Sequence, residues 1–444
     1  MVRKNLLLLG ANMCTFALLS GITLHAGQAE VSAQSLAPVT PPQQLTLAAA
    51  EELLLQRNLA IAANRHQLEL SQALRQIAGY KPNPTLQIAA EQFPVWSPVA
   101  GSYPRYFSTN PDVGAEPTWT AQVSKLFERG GKRESRVEQA EAQIGTARAQ
   151  IFDAFRTQLL QLRQAFATAI LAKENLALAQ AQDTQYQRTE ELTGIKVKAG
   201  DLAEMELFRV RAGRLPFRQA ILDAQLAQQQ AIRDILNLLN ARQDAGSSIE
   251  IMGEFASKPL PLTVDELRAM ALKNRPDIQA ARSSLTGAQA GLHLAEAQRT
   301  RDVSVALEYQ RVGSDSALGV IAQVPLFVYN NQKAGIAQAT AQQHVVEAQL
   351  RQAEAQAVTD VEKAWQAYLA ARNSMELYSS ENLVQVEKLR AAIAYSYQRG
   401  EASLFELLDA ERSARQATVA YNQARATYQL ALWQMEAAVG QPLN

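Results

Sequence analysis

The sequence predicts a mainly α-helical protein with a small β part, arranged as two tandem structural repeats. Three observations support this fold class. Two long windows, between Pro117 and Pro216 and between Pro325 and Pro442, contain no proline and are dense in Ala, Gln, Leu, Glu and Arg. Four short segments alternate polar and apolar residues. A set of sequence matches also occurs twice in the same order along the chain.

The N-terminus has the order of residues typical of a secretory signal peptide. Arg3 and Lys4 precede an apolar run, and small residues lead up to Ala29. We expect a signal peptide at 1–29, with its exact cleavage site left open. An N-terminal linker follows at 30–44.

Composition limits the possible partners. The 444 residues carry 43 basic and 43 acidic side chains, so no basic excess points to nucleic acid. The only cysteine, Cys14, lies within the predicted signal peptide. We therefore expect a mature chain without disulfides. No later segment reaches the roughly 20 apolar residues of a transmembrane helix, which predicts a periplasmic or outer-membrane protein.

The repeat is visible in matched short segments. Leu45-Thr-Leu47 recurs as Leu262-Thr-Val264, and later matches keep the same order. We expect a first repeat at 45–243, a linker at 244–261 rich in Gly, Ser and Pro, and a second repeat at 262–440.

Each repeat is expected to begin with a helix of about 35 residues, at 45–80 and at 263–300. Very long helical stretches follow the strands, from about Gly131 to Gly194 and from Lys333 to Arg399. Each would span roughly 95 Å. Their scattered large apolar residues predict helices that pack side by side in a curved wall with a polar face, an α-barrel tunnel. A coiled-coil scaffold is the alternative that the helices alone leave open.

Four strands are predicted at about 84–93, 117–127, 302–312 and 317–327. Each alternates apolar and polar residues and has the length of a tilted transmembrane strand. The fourth places five apolar residues on one face: Leu318, Val320, Ala322, Val324 and Leu326. Two soluble hairpins would show the same pattern, but the chain offers no second sheet to cover the apolar faces. Outer-membrane lipid is therefore the expected cover.

Four strands cannot enclose a pore, and lipid does not tolerate unpaired strand edges. Three copies would supply twelve strands, which predicts a homotrimer with a shared β-barrel. The segment at about 94–117 is expected to form a long external loop, and Val312–Ala317 a tight external turn.

This order of elements resembles the TolC-type outer-membrane efflux proteins. The resemblance includes the two glycine breaks, Val197-Lys-Ala-Gly200 and Tyr397-Gln-Arg-Gly400. Within that family, Leu126-Phe-Glu-Arg-Gly-Gly-Lys-Arg133 resembles members similar to CzcC, a cation-efflux outer component; Pro325–Gln332 lacks both glycines. The resemblance implies a trimeric duct in the outer membrane with a long periplasmic extension. It also implies docking to a periplasmic adaptor that joins an inner-membrane pump of the RND type.

The resemblance also implies that the two glycine turns lie at the periplasmic tip of the tunnel. Their exposed side chains would face the adaptor or the closed pore, unless the glycines only cap helices and the charges are only solvated. The candidate residues are Lys196, Val197, Lys198, Gly200, Asp201, Tyr397, Arg399, Gly400 and Glu401.

Motifs for catalysis or cofactor binding are not found in the sequence. Gly130-Gly131 lacks the pattern of a phosphate-binding loop. His344 and Glu347 lie one helical turn apart without further ligands, which is typical of a solvated face. We therefore expect a passive duct without cofactor, first for heavy-metal cations and alternatively for organic compounds or proteins. A periplasmic helical adaptor or scaffold is the alternative from a different class.

Overall fold

The computed structural model describes residues 42–92, 117–242, 249–255, 259–378 and 380–443. The predicted signal peptide lies outside these residues, as do most of the predicted N-terminal linker and external loop. Part of the linker predicted at 244–261 also lies outside them.

In the described part of the chain, the two halves follow the same course of helices, a strand pair and long helices. The helices are α1 (Leu47–Arg57), α2 (Leu59–Gly79), α3 (Lys132–Ala199), α4 (Glu204–Leu238), α5 (Val264–Asn274), α6 (Pro276–Ala297), α7 (Lys333–Leu377), α8 (Ser380–Arg399) and α9 (Leu404–Val439). The strands are β1 (Gln44–Thr46), β2 (Thr85–Glu91), β3 (Thr118–Phe127), β4 (Glu250–Met252), β5 (Val303–Val312) and β6 (Asp315–Gln323). The prediction of a mainly helical chain with a small sheet is confirmed.

The main sheet is antiparallel, with the strand order β2-β3-β5-β6. The central pair, β3 and β5, joins the strands of the two halves along ten residue pairs. β5 and β6 form a hairpin whose last pair is Val312 with Asp315. Gly313 has φ 57°, the positive value that two-residue hairpin turns require. The turn is therefore shorter than the predicted Val312–Ala317.

The fourth strand differs from the prediction of 317–327, because β6 begins at Asp315 and ends at Gln323. Ser304 and Gln323 form the final pair at this end, and β5 begins only one residue earlier, at Val303. Pro325 then follows without a backbone N–H group to donate. Val324 and Leu326, predicted within the strand, thus lie beyond the ladder.

The helix predicted at 45–80 is divided at Asn58, which has extended backbone angles. Its side-chain oxygen accepts a hydrogen bond from the Ile61 N–H at 3.0 Å and so starts α2. Its amide nitrogen donates to Gln158 Oε1 at 3.0 Å and to the Leu238 carbonyl at 2.8 Å. Asn58 therefore ends one helix, begins the next and fastens the break to α3 and α4.

The helix predicted at 263–300 is divided at Arg275, because Pro276 disfavours helical angles in the residue before it. The Arg275 side chain is 3% exposed and forms ion pairs with Asp277 at 2.7 Å and Asp360 at 2.9 Å. It also donates to the Ala438 carbonyl at the end of α9. Burial raises the pKa of Asp277, but the hydrogen bond and charge of Arg275 outweigh that effect and hold the pKa below its ordinary value.

Of the two very long helices predicted, only the first is continuous. α3 has 68 residues and spans roughly 100 Å. The stretch from Lys333 to Arg399 is interrupted after Leu377, and α8 begins at Ser380. Asn382 donates its side-chain amide to the Leu377 carbonyl at 2.8 Å, replacing a backbone hydrogen bond of the helix.

The junction between β3 and α3 explains the glycines of the Leu126–Arg133 motif. Gly130 and Gly131 have φ values of 77° and 76°. A Cβ on Gly130 would lie 2.6 Å from the Thr300 Cβ, so no larger residue fits without rearrangement. Lys132 then pairs with Asp302 at 2.8 Å. In the second half Gln332, with φ 63°, precedes α7 without glycine.

Three apolar clusters stabilise the helical part. The first joins α1, α3, α4 and the β1–β4 pair around Phe166, and the second joins α5, α7 and α9 around Tyr368 and Met435. The third joins α3, α4, α8 and α9 near the turns that connect α3 to α4 and α8 to α9. None of the helices in the described residues combines the length and apolar character needed to cross a bilayer.

Candidate functional site

The first predicted turn closes α3 with a glycine in the left-handed conformation. Gly200 has φ 84°, and its N–H group donates to the Val197 carbonyl at 3.1 Å. The Asp201 N–H donates to the Lys196 carbonyl at 2.9 Å. This pair of bonds satisfies carbonyls left free by the helix end and lets α4 return antiparallel to α3.

The second turn repeats this arrangement between α8 and α9. Gly400 has φ 78° and donates to the Tyr397 carbonyl at 3.1 Å, while the Glu401 N–H donates to the Ser396 carbonyl at 2.9 Å. Ser403 and Glu406 then form a reciprocal capping box that starts α9. The two turns thus have the same backbone conformation and the same pattern of hydrogen bonds.

The structure brings the two turns together. The Lys196 ammonium lies 5.0 Å from the centre of the Tyr397 ring, a cation–π contact between the two halves. Tyr397 is buried, with side chains of α3, α4 and α9 in the same cluster. The members of this tip cluster are Tyr186, Val210, Phe217, Tyr397, Leu404 and Leu407.

The remaining candidates divide by exposure. Lys198, Asp201, Arg399 and Glu401 are exposed, and Val197 is half-buried. The Arg399 guanidinium lies 4.9 Å from the Tyr395 ring centre. The turns therefore present charges of both signs above an apolar base.

Ion pairs hold each helical hairpin together beside the tip cluster. Arg214 binds both carboxylate oxygens of Asp183, at 2.7 and 2.8 Å, across α3 and α4. The hydrogen bond from Arg214 holds the pKa of Asp183 below its ordinary value. Arg390 connects Glu387 and Glu411 across α8 and α9. Burial raises the pKa of Tyr186 to about 12, so the cluster keeps this phenol neutral.

A stripe of exposed apolar side chains on α4 was not predicted from the sequence. Phe208, Leu215 and Leu222 recur every seven residues and are 55%, 63% and 59% exposed. Met205 and Leu226 extend the stripe. The seven-residue spacing was the available signal, because such a stripe normally lies against another helix.

The sheet, at the other end of α3, is also exposed on its apolar face. Leu86, Val123, Leu307 and Val320 form one row across the four strands and are 66%, 50%, 58% and 75% exposed. The neighbouring row on the opposite face contains Gln87, Gln122, Glu308 and Gly319. One face thus suits lipid and the other water.

Metal-binding geometry is not found in the part of the chain that the structure describes. No group of three His, Cys, Asp or Glu residues there is arranged to hold a metal ion. His344 pairs with Glu347 at 3.5 Å on an exposed surface.

These features define an outer-membrane channel with a sheet for lipid at one end and paired helical turns at the other. The model of the family described as outer membrane efflux protein matches residues 51–241 and 267–441. The chain belongs to this family. It is a protein of the cell outer membrane with a long periplasmic extension.

The relatives include the cobalt-zinc-cadmium resistance protein CzcC of Cupriavidus metallidurans, 24% identical over 87% of this chain and 88% of the relative. Among solved structures, CusC has a TM-score of 0.73 at 16% identity, covering 89% of this chain and 92% of that one. The Campylobacter jejuni CmeC outer membrane channel has a TM-score of 0.73 at 15% identity, covering 89% and 85%. The structural likenesses show the shared fold.

The tip cluster predicts a small effect on stability for one change at Tyr397 and a large loss for another. The Tyr397 hydroxyl is buried without a hydrogen-bond partner among the described residues. Tyr397→Phe keeps the ring and removes the unpaired hydroxyl, so stability should stay within about 0.5 kcal/mol or rise. Tyr397→Ala removes the ring and should cost about 3 kcal/mol. Thermal unfolding in detergent, followed by circular dichroism, measures both; a large loss of stability with Phe would contradict this account.

Proposed function

We propose that three copies of this chain close a shared twelve-stranded barrel and form a passive outer-membrane duct. The observation that carries this proposal is a four-stranded sheet with an exposed apolar face and two outer edges, β2 and β6. Lipid leaves no water to satisfy backbone groups on those edges. Pairing with identical sheets satisfies them and also encloses the polar face.

The exposed stripe on α4 supports the same assembly. Apolar side chains at seven-residue spacing are removed from water most completely when they pack against a neighbouring helix. A helical wall made of three copies would cover them, as the barrel covers the strand edges. The signal peptide at 1–29 would direct the chain to the periplasm. The repeats at 45–243 and 262–440 would form the helical wall.

Membership of the outer membrane efflux protein family supports a role for the duct within a larger export system. We assign it to a tripartite system in which an inner-membrane RND-type pump supplies the energy and a periplasmic adaptor joins pump to duct. No catalytic step is assigned to this chain.

The purified protein should be trimeric in mild detergent. Light scattering coupled to size-exclusion chromatography should give three times the mass of one mature chain. Leu222→Asp places a charge in the α4 stripe and should increase the fraction of smaller species. Leu222→Met, which keeps an apolar side chain of similar size at the same position, is the matched control. A wild-type monomer would contradict the proposal.

The tip turns are the proposed docking site for the adaptor. Lys198, Asp201, Arg399 and Glu401 are exposed on the two joined turns, where a partner helix would meet charges of both signs. Double reversal, Lys198→Glu with Glu401→Lys, keeps the net charge and should weaken binding of the cognate adaptor at least tenfold. Lys388→Glu, exposed on α8 away from the turn, should bind normally. Equal affinities of all three proteins would exclude these charges as determinants.

Heavy-metal cations are the proposed substrates, supported by the likeness to CzcC. A deletion strain should stop growing at concentrations of zinc, cobalt, cadmium or copper that its parent tolerates, and a plasmid copy should restore growth. Dyes and detergents tested in parallel address the alternative of organic compounds. Sensitivity to dyes without sensitivity to any metal would favour that alternative, and loss of a secreted protein would favour protein export.

A further inference from the structure

The alternating pattern of β6 continues past its last ladder pair. Residues on its apolar face remain exposed on both sides of Gln323, the final paired residue. Their exposed fractions are 77% for Leu318, 75% for Val320, 41% for Val324, 73% for Leu326 and 72% for Val328. An alternating pattern that no strand of the described residues pairs with indicates a partner from another chain.

The other edge of the sheet has the right direction to be that partner. In the order β2-β3-β5-β6, each strand is antiparallel to the next. β2 of one copy would therefore be antiparallel to β6 of its neighbour. The end of β6 would meet the beginning of β2.

The tilt of strands in a barrel determines the stagger between copies. Strands about 4.8 Å apart and tilted by about 40° are each displaced along the strand direction by roughly 4 Å relative to the preceding strand. Over four strands this displacement adds up to about five residues. Thr85, Ser124, Ala306 and Ile321 form one row across this sheet. The residue that faces Ile321 across the junction must lie on the same face as Thr85, which requires an even stagger. Staggers of about four and about six remain.

The direction of the stagger follows from the strand ends. In one direction Ile321 would face Lys81 or Gly79, which lie just after and at the end of α2, and most of β2 would face no strand. In the other direction Ile321 faces Ala89 or Glu91, and all of β2 is paired.

The turn after β6 separates these two registers. The Val328 N–H donates to the Leu326 carbonyl at 3.0 Å, so the extended segment ends before Phe327. With Glu91 opposite Ile321, Thr85 would face Phe327 inside that turn, whereas with Ala89 opposite Ile321 it faces Pro325, which precedes the turn. Pro325 is compatible with this pairing, because Val312 and Asp315 close the hairpin as a hydrogen-bonded pair and the odd-numbered residues of β6 therefore direct their backbone N atoms toward β5.

We infer that β6 pairs with β2 of the next copy with Gln323 opposite Gln87, Val324 opposite Leu86 and Pro325 opposite Thr85. This inference rests on the proposed trimer and specifies its barrel junction. Val324 and Pro325 are then strand residues in the assembly, although no strand among the described residues of their own chain pairs with them.

Cysteine pairs test this register, because Cys14 is the only native cysteine and Cys14→Ser supplies a clean background. Opposite residues of an antiparallel pair lie within disulfide reach, whereas diagonal ones lie about 7–8 Å apart. Within one chain, β2 and β6 are separated by three strand spacings, roughly 14 Å, so a bridge reports a contact between copies.

Three double variants are compared on denaturing gels without reductant after mild oxidation. Gln87→Cys with Gln323→Cys should give a covalent trimer, at least tenfold more abundant than with either control. Ala89→Cys with Gln323→Cys reports a stagger of six, and Thr85→Cys with Ile321→Cys reports no stagger. Light scattering on each sample shows whether the unlinked protein is trimeric.

A covalent trimer from the first pair alone supports the inference. Stronger bridging by either control, or a trimer in which the first pair does not bridge, overturns the register and leaves the trimer standing. A wild-type protein that is monomeric by light scattering overturns the trimer itself.

Discussion

The hydrogen-bonding capacity of two strand edges is the constraint on which this structure depends. β2 and β6 each use one side for a neighbouring strand of the chain, and the other side remains open among the described residues. On a soluble surface, water would satisfy those groups at little cost. Beside an apolar face of Leu, Ile, Val and Tyr, the surrounding medium is lipid, where each unpaired group costs several kcal/mol. The edges therefore require a strand partner.

The helical part extends about 100 Å from the sheet. Asn58 and Arg275 occupy matching places in the two halves, and each binds a carbonyl at the end of the last helix of its own half. Each position is polar and buried, with its hydrogen bonds satisfied by defined partners. These two links fix where the short helices end and so fix the lateral position of the long ones. At the far end, the Lys196–Tyr397 contact joins the two turns into one surface.

Much of this fold was predictable because its patterns are periodic. The strands follow an alternation of two, and the helices follow from composition and missing prolines. Breaks made by single side chains were harder to foresee. Pro276 was a visible signal for the break at Arg275, but Asn58 and Asn382 interrupt helices through hydrogen bonds to distant or neighbouring carbonyls. The end of β6 was missed for a different reason, because a strand ends where its partner ends and the sequence pattern does not contain the partner.

The candidate site was only partly visible in the sequence. Gly200 and Gly400 indicated two turns, but nothing in the sequence placed Lys196 on the ring of Tyr397. That contact depends on how α3 and α8 pack. The α4 stripe was visible as a seven-residue spacing, but its exposure is a property of the folded chain. Contacts between copies are even harder to predict from the sequence, since they depend on symmetry as well as on packing.

Hydrogen exchange of the sheet in lipid nanodiscs tests the central claim most directly. The account predicts that amides of the edge strands β2 and β6 exchange as slowly as those of the central strands β3 and β5, because a closed barrel has no edge. Exchange in β2 and β6 a hundredfold faster than in β3 and β5 would show open edges and contradict it.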